Sequence, residues 1–457
     1  MRKINKRQGL MLCAAGLLVL VMLTVFVRLG TRQILVKRAH MDNLITQTVL
    51  CGNEELQREK PRKEPRKESE KIDWARAYPF ADIDRMDKQD WQLAQKVEKK
   101  AEKVEKKIDD WTGKYLMGYY KLAEAGRGYA DEIGWGLPSQ GKDSLLSLGD
   151  GAWTFCYPRD KEAMQERSAV LAGLAQEVTE HGGQFLYIQA PFKVDPYGDF
   201  AVNGIFDFTN QNCDDLLAQL EAQGIATLDL RKDLYNWAQA EQRNYHEYFF
   251  RTDHHWKPET ALRAAKVVGA RLKEYGIVVD DSHYDLQDFD MEVLPRFFLG
   301  SQGKRATLSR AIPDDFPILL PKFTTQIHFE VPELKIDRIG TFEITYDKEP
   351  IERRDYYNLN PYGMYGHADR AIVNIENMLM PPSDKKVLMI RDSFCDTMAP
   401  FLALGVRNVM LLDIRHFTGS VKAYIAENKP DVVIVMYTGV TVAPIDWSTH
   451  KDEFDFR

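Results

Sequence analysis

The chain is poor in cysteine: Cys13, Cys51, Cys156, Cys213 and Cys395 are the only five in 457 residues, and no two share a C-x-x-C spacing. That excludes a disulfide-stapled scaffold, a zinc ribbon and a dithiol redox motif. An excess of positive charge is missing too. With 61 basic against 68 acidic side chains the formal net charge is -7. There is no broad basic field for phosphates, and no zinc-finger, RNA-recognition or helix-turn-helix signature, so nucleic acid is disfavoured as a partner. No internal repeat is evident. Long apolar runs are scarce, and the one that exists, Gly9 to Val27, lies at the very start.

That run is uncharged, close to the minimum span of a bilayer, and preceded by Arg2, Lys3, Lys6 and Arg7. No A-x-A-like cleavage site follows it, so residues 1–38 read as a cytoplasmic tail and uncleaved transmembrane signal anchor, with a cleaved signal peptide as the alternative. Arg28, Arg32, Lys37 and Arg38 on its far side leave the orientation to the export of the large C-terminal body. Residues 39–93 read as a charged linker: Arg58 to Lys71 is a mixed-charge, proline-punctuated stretch without an apolar face. Residues 94–142 read as a helical stalk or docking helix. There Ala94, Val97, Ala101, Val104, Ile108, Trp111 and Tyr115 recur at heptad spacing.

From about 143 to 457 the pattern becomes short apolar strands alternating with amphipathic helices, which predicts an α/β domain with a parallel sheet between two helical layers. Expected strands are Gln184 to Gln189, Ala226 to Leu230, Val387 to Ile390, Val409 to Leu412 and Val432 to Met436. Expected helices are Glu162 to His181, Asp214 to Gln223, and one opened by Pro258 and running to about Tyr275. Residues 297–348 break the rhythm. Pro317 to Leu320, Thr325 to Phe329 and Thr341 to Thr345 suggest antiparallel strands of a β-rich insertion, which either walls a substrate cleft or extends the sheet.

Two segments carry chemistry. Thr252 to Pro258 (TDHHWKP) places Asp253 two positions before His255, next to a helix start. Imidazole serves a serine nucleophile as base and then as acid when a carboxylate holds its other nitrogen. The structural alternative is helix N-capping by Asp253, with His254 a surface or supporting histidine. Ser393, in Lys386 to Phe394 (KVLMIRDSF), follows an apolar strand and precedes an expected helix at Met398 to Leu402. A serine on such a turn is displayed at the carboxyl edge of the sheet with amides beside it, although serines also cap helices. A metal site at His254 and His255 is disfavoured, since adjacent histidines point apart and no further cluster completes it.

Asp253-His254-His255-Trp256 resembles the name-giving motif of the DHHW proteins, which are similar to the SGNH-hydrolase-like domains of alginate O-acetylation enzymes. Phe185 to Lys193, Asp229-Leu230-Arg231, Leu299 to Arg305, Pro321-Lys322-Phe323, Asp392-Ser393-Phe394 and Leu412 to Phe417 occur in the order of that family, covering roughly Asp143 to Val442. The resemblance implies an SGNH-hydrolase-like three-layer fold with Ser393 as nucleophile, His255 as general base and Asp253 as its orienting partner. Arg391 departs from the residue the family often carries before Asp-Ser. His254, Arg415, Lys193, Tyr365 and Asn374 are secondary candidates for the cleft, Arg415 to bind an anionic substrate group or stabilise the site, or else in a structural salt bridge.

The expected function is extracytoplasmic transfer of an acyl group, acetyl above all, to hydroxyls of a cell-surface polysaccharide through an acyl-serine. A membrane-bound O-acyltransferase is the expected donor partner, and neither cofactor nor metal is expected. A carbohydrate ester hydrolase uses the same intermediate, with water as acceptor. A non-catalytic envelope protein with an idle site is the third reading.

Overall fold

A computed structural model describes residues 145–198, 201–202, 205–308, 310–443 and 452–457. The expected anchor, linker and stalk lie outside them. Among the described residues no helix is long and apolar enough to cross a membrane.

The chain enters through a hairpin of β1 (Leu145–Gly149) and β2 (Ala152–Phe155), then α1 (Lys161–Glu180) and β3 (Gln184–Gln189). A short hairpin of β4 (Ala201–Val202) and β5 (Ile205–Phe206) precedes α2 (Thr209–Ala222), β6 (Thr227–Asp229), α3 (Leu230–Glu241) and α4 (Pro258–Glu274). Next come β7 (Phe289–Phe298), α5 (Ser301–Ala306), β8 (Asp314–Pro321), β9 (Ile327–Val331), β10 (Ile336–Gly340) and β11 (Ile372–Asn377). The last elements are β12 (Val387–Arg391), α6 (Phe394–Gly405), β13 (Asn408–Leu412), α7 (Val421–Asn428), β14 (Val432–Tyr437) and α8 (Gly439–Val442).

Eight strands form one sheet in the order β10-β9-β11-β13-β12-β14-β3-β6. The five from β13 to β6 are parallel, and β11, β9 and β10 extend them antiparallel. The sheet is therefore mixed rather than parallel. The insertion contributes β9 and β10 to its edge, while β7 and β8 pair only with each other. Thr341 to Thr345, expected as a strand, holds a 3-10 turn at Phe342–Thr345, and the edge strand is the preceding Ile336–Gly340.

Period-two alternation along the parallel strands sends neighbours to opposite faces, and both faces are buried. Val387 and Met389 of β12 pack with Leu262 and Val268 of α4 and Met398 and Phe401 of α6. Leu388 and Ile390 pack with Leu171 and Leu174 of α1, Leu216 and Leu220 of α2, and Ile425 of α7. This is the expected three-layer sandwich. Its consequence for function is positional: the buried β12 runs down the middle of the sheet and delivers Ser393 to the carboxyl edge.

Candidate active site

Ser393 is the N-cap residue of α6, two positions after β12 ends at Arg391. Asp392 fixes that turn. Its Oδ1 accepts from the Phe394 amide at 3.1 Å, and its Oδ2 accepts from the Thr438 amide at 2.7 Å and the Thr441 hydroxyl at 3.0 Å.

Asp253 and His255 are carried by a closed loop rather than by the helix that follows. An antiparallel bridge joins Phe249 to Trp256, the Phe250 amide donates to the His255 carbonyl at 3.0 Å, and the Lys257 amide to the Tyr248 carbonyl at 3.0 Å. From outside, buried Asp314 braces the loop by accepting from the Arg251 amide at 2.9 Å and from the Thr252 amide and hydroxyl at 2.8 and 2.6 Å. The tryptophan of the motif ties the loop to the nucleophile's helix: Trp256 Nε1 donates to the Phe394 carbonyl at 3.2 Å, and the two rings lie 5.1 Å apart.

His255 Nε2 lies 2.6 Å from Ser393 Oγ, and His255 Nδ1 lies 2.5 Å from Asp253 Oδ1. A carboxylate accepts only, so the Asp253 contact assigns the proton of neutral His255 to Nδ1 and leaves Nε2 as the base. Asp253 does not cap α4, whose N-cap is Lys257. Its Oδ1 also accepts from the His255 amide at 3.1 Å, and its Oδ2 from the Ser301 amide at 2.7 Å. Burial pushes the Asp253 carboxyl up, but His254, His255 and these hydrogen bonds outweigh burial and hold it well below its ordinary value. One face of the base is covered by Tyr362, stacked on His255 at 3.8 Å and 13°. Such a constellation, with the base held between an acid and a hydroxyl, is equipped for acyl transfer through serine.

Among the secondary candidates, His254 stacks beside His255 at 3.8 Å, with Nδ1 3.2 Å from Ser301 Oγ. Burial first, then the neighbouring His255, lowers its pKa to about 3. The ligand atoms of Asp253, His254 and His255 lie within 4.8 Å of one another, but both Asp253 oxygens already accept hydrogen bonds that orient the base. Lys193 is fully buried and donates to the Trp153 carbonyl at 2.7 Å, the Arg251 carbonyl at 3.3 Å and Gln302 Oε1 at 2.7 Å, so it braces the base of the loop. Tyr365 is also fully buried, its hydroxyl donating to the Pro317 carbonyl at 2.5 Å. Asn374 sits in β11 and donates to Glu330 at 3.3 Å. The bonds of these three run to structural partners rather than to the triad.

Behind the nucleophile lies a buried charge cluster. Arg391 pairs with Asp396 at 2.6 Å, Asp369 at 3.2 Å and Asp413 at 3.4 Å, and Arg415 pairs with Asp369 and Asp413 at 2.6 Å each and Glu453 at 3.4 Å. Arg415 is thus engaged in salt bridges with three acids. Removing the buried cation strands the acids around it. Arg391→Met is expected to destabilise the fold by about 3 to 5 kcal/mol in equilibrium urea unfolding, and a loss under about 1 kcal/mol would show the cluster to be dispensable.

Sequence reasoning missed Gly300, Ser301, Tyr362 and Asp314 as parts of the site. Only the first two lay in a segment it singled out, Leu299 to Arg305. A Cβ at Gly300 would stand 2.2 Å from Asp253 Cβ and 2.4 Å from its Oδ2. The Gly300 backbone, at φ -74 and ψ -175, is open to any residue, so the demand for glycine is steric contact with the acid. Gly300→Ala should displace Asp253, lower activity at least tenfold and cost about 1 to 3 kcal/mol of stability. Kinetics together with thermal melts check this, and wild-type values for both would contradict the packing.

Comparison with known proteins bears out the resemblance read from the sequence. Residues 146–291 match the family described as SGNH hydrolase-like domain, acetyltransferase AlgX. No curated protein sequence matches the chain. The solved structure of Bacillus cereus PatB1 with a sulfonyl adduct is similar at a TM-score of 0.54 and 17% identity, covering 68% of this chain and 99% of that one. PatB1 without the adduct is similar at 0.54 and 16%, with the same coverage. A DHHW family protein from Eubacterium siraeum aligns at 0.47 and 17%, covering 68% and 96%. At these identities the two PatB1 structures speak to the fold alone, and the SGNH-like description rests on the family match of residues 146–291.

Proposed function

We propose that this protein transfers an acyl group, most simply acetyl, through Ser393 to hydroxyls of a cell-surface polysaccharide outside the cytoplasm. The observation that carries the reading is the unbroken relay from Asp253 through His255 to Ser393 Oγ, at 2.5 and 2.6 Å.

The steps follow from that geometry. His255 Nε2 takes the Ser393 proton as Oγ attacks the acyl carbon of the donor, and the negative charge that develops on the acyl oxygen falls beside the Ser393 amide at the start of α6. The resulting imidazolium is stabilised by Asp253 and returns the proton to the leaving group, giving an acyl-serine. A sugar hydroxyl then gives its proton to His255 and attacks the acyl carbon, and as the acyl–oxygen bond to Ser393 breaks His255 passes that proton to Oγ, restoring the free serine. Water in place of the sugar would make the same site an esterase.

The family matched by residues 146–291 is described as an acetyltransferase, which supports acetyl as the group transferred. The extracytoplasmic setting rests on the apolar run Gly9 to Val27 and its basic flank. Outside the cell acetyl-CoA is not at hand, so a membrane-bound acyltransferase is the donor consistent with that setting. The test is to give the full-length chain a chromogenic acetyl ester with and without an oligosaccharide acceptor. Acetylated sugar growing at the expense of free acetate supports transfer; acetate release indifferent to acceptor would reduce the proposal to ester hydrolysis.

A further inference from the structure

A second cluster of ligating groups lies on the far antiparallel edge of the sheet, on strands that supply nothing to the triad. In register, His328 of β9 stands opposite Ile339 of β10 and Glu376 of β11, while Glu330 stands opposite Asp337 and Asn374. Directly opposed residues share a face, so His328, Glu330, Asp337, Asn374 and Glu376 project from the same side of three adjacent strands. We propose that His328 Nε2, Asp337 and Glu330 form a binding site for one divalent transition-metal ion, with Zn2+ the best match.

The distances suit an ion. His328 Nε2 lies 2.8 Å from Asp337 Oδ1 and 4.0 Å from Glu330 Oε1, and the ligand atoms of all three fall within 4.8 Å of one another. Tetrahedral Zn2+ with bonds of roughly 2.0 to 2.2 Å separates its ligand atoms by about 3.4 Å, wider than the 2.8 Å hydrogen bond between His328 and Asp337, so the exposed Asp337 side chain must swing outward to admit the ion. One imidazole with carboxylates suits Zn2+ among the ions that accept both donor types.

Two further observations distinguish the cluster from a chance gathering of acids. The other ring nitrogen, His328 Nδ1, faces Glu376 at 3.6 Å, and Glu376 is itself paired with Arg407. A carboxylate on that side of the ring attracts the proton to Nδ1 and so favours Nε2 as the nitrogen presented to the ion. In addition, Asn374 donates its amide nitrogen to Glu330 at 3.3 Å, while its buried Oδ1 lacks a hydrogen-bond partner. That oxygen adds an acceptor beside Glu330. With Arg407 offsetting Glu376, Glu330 and Asp337 leave two net negative charges to balance the dication.

The ion would fasten an edge. β10 is the last strand of the sheet, and Asp337 on it is 76% exposed. An ion shared by Asp337 of β10 and two ligands of β9 adds a crosslink to a strand whose backbone ladder runs on one side alone.

The experiment is calorimetric titration of the chelator-stripped full-length chain with ZnCl2 at pH 8, beside His328→Ala and Asp337→Asn. The expected result is one high-affinity equivalent in the wild type that both variants lose or bind at least tenfold more weakly. The wild-type melting temperature should rise with Zn2+, and that rise should be absent in the variants. Circular dichroism in chelator shows whether each variant is folded, and Asp337→Asn carries the comparison if His328→Ala is not. Equal stoichiometry and affinity in wild type and both variants would overturn the site and leave His328 and Asp337 as an ordinary ion pair.

Discussion

Ser393→Ala is expected to lower both ester hydrolysis and acyl transfer by on the order of 10^5-fold or more while leaving the fold intact. The side chain is only partly buried, and its hydroxyl meets His255 rather than the core, so its loss opens no cavity. What disappears is the atom that forms the covalent intermediate. His255→Ala should cost nearly as much, and the double variant little more than either single one, because the two act as a unit. Initial rates against enzyme concentration settle it. A variant retaining more than about a hundredth of wild-type activity would mean that the acyl group does not pass through Ser393.

Asp253→Asn is expected to lose about 10^4-fold in turnover. Asparagine matches the shape of the acid and can still accept from the Ser301 amide, so the loop should keep its place. Its amide, however, can turn an N–H toward His255 Nδ1, which favours the tautomer with the proton on Nε2, the wrong nitrogen for a base. The charge that stabilises the imidazolium is lost as well. The pH dependence separates these effects from simple damage. In the wild type the Asp253 carboxyl is held well below its ordinary value, so the stability this shift contributes is present above the ordinary carboxylate range and lost progressively as pH falls from that range through the depressed value. Between about pH 5 and 8 Asp253 therefore stays ionised in the wild type, and no limb of the activity profile there comes from it. An Asp253→Asn enzyme with wild-type turnover across that window would remove the acid from the mechanism.

How much of this was legible in the sequence depends on the range over which each feature is determined. Continuous apolar strands such as Val432–Tyr437 and the proline-opened helix Pro258–Glu274 announce themselves locally, and both lie within a residue of the expected bounds. The insertion was harder. Ile336–Gly340 carries Asp337 and Arg338 and is exposed along most of its length, so no apolar run marks it as a strand. Its identity comes from pairing with β9. The same division holds in the site. Asp253, His255 and Ser393 were visible as residue types in suggestive local settings, made specific by the order of the surrounding motifs. Tyr362 stacks on His255 from more than a hundred residues away in sequence, and Gly300 and Ser301 hold Asp253 through a contact and a backbone amide. A side-chain pattern encodes no backbone amide, and a steric demand for glycine is invisible until the neighbour is known. Lys193 shows the converse: a lysine after a strand at the carboxyl edge invites a role in the cleft, yet its three hydrogen bonds tie down the loop base.

The central claim is a covalent acyl-serine at one named position. The most direct measurement is intact-protein mass spectrometry of full-length chain quenched in acid moments after mixing with an activated acetyl ester, followed by peptide mapping. The account predicts one added acetyl group, located on Ser393, abolished in Ser393→Ala and discharged when an oligosaccharide acceptor is added before the quench. An acetyl group on another residue, or turnover without any trapped adduct under conditions where deacylation limits the rate, would contradict it.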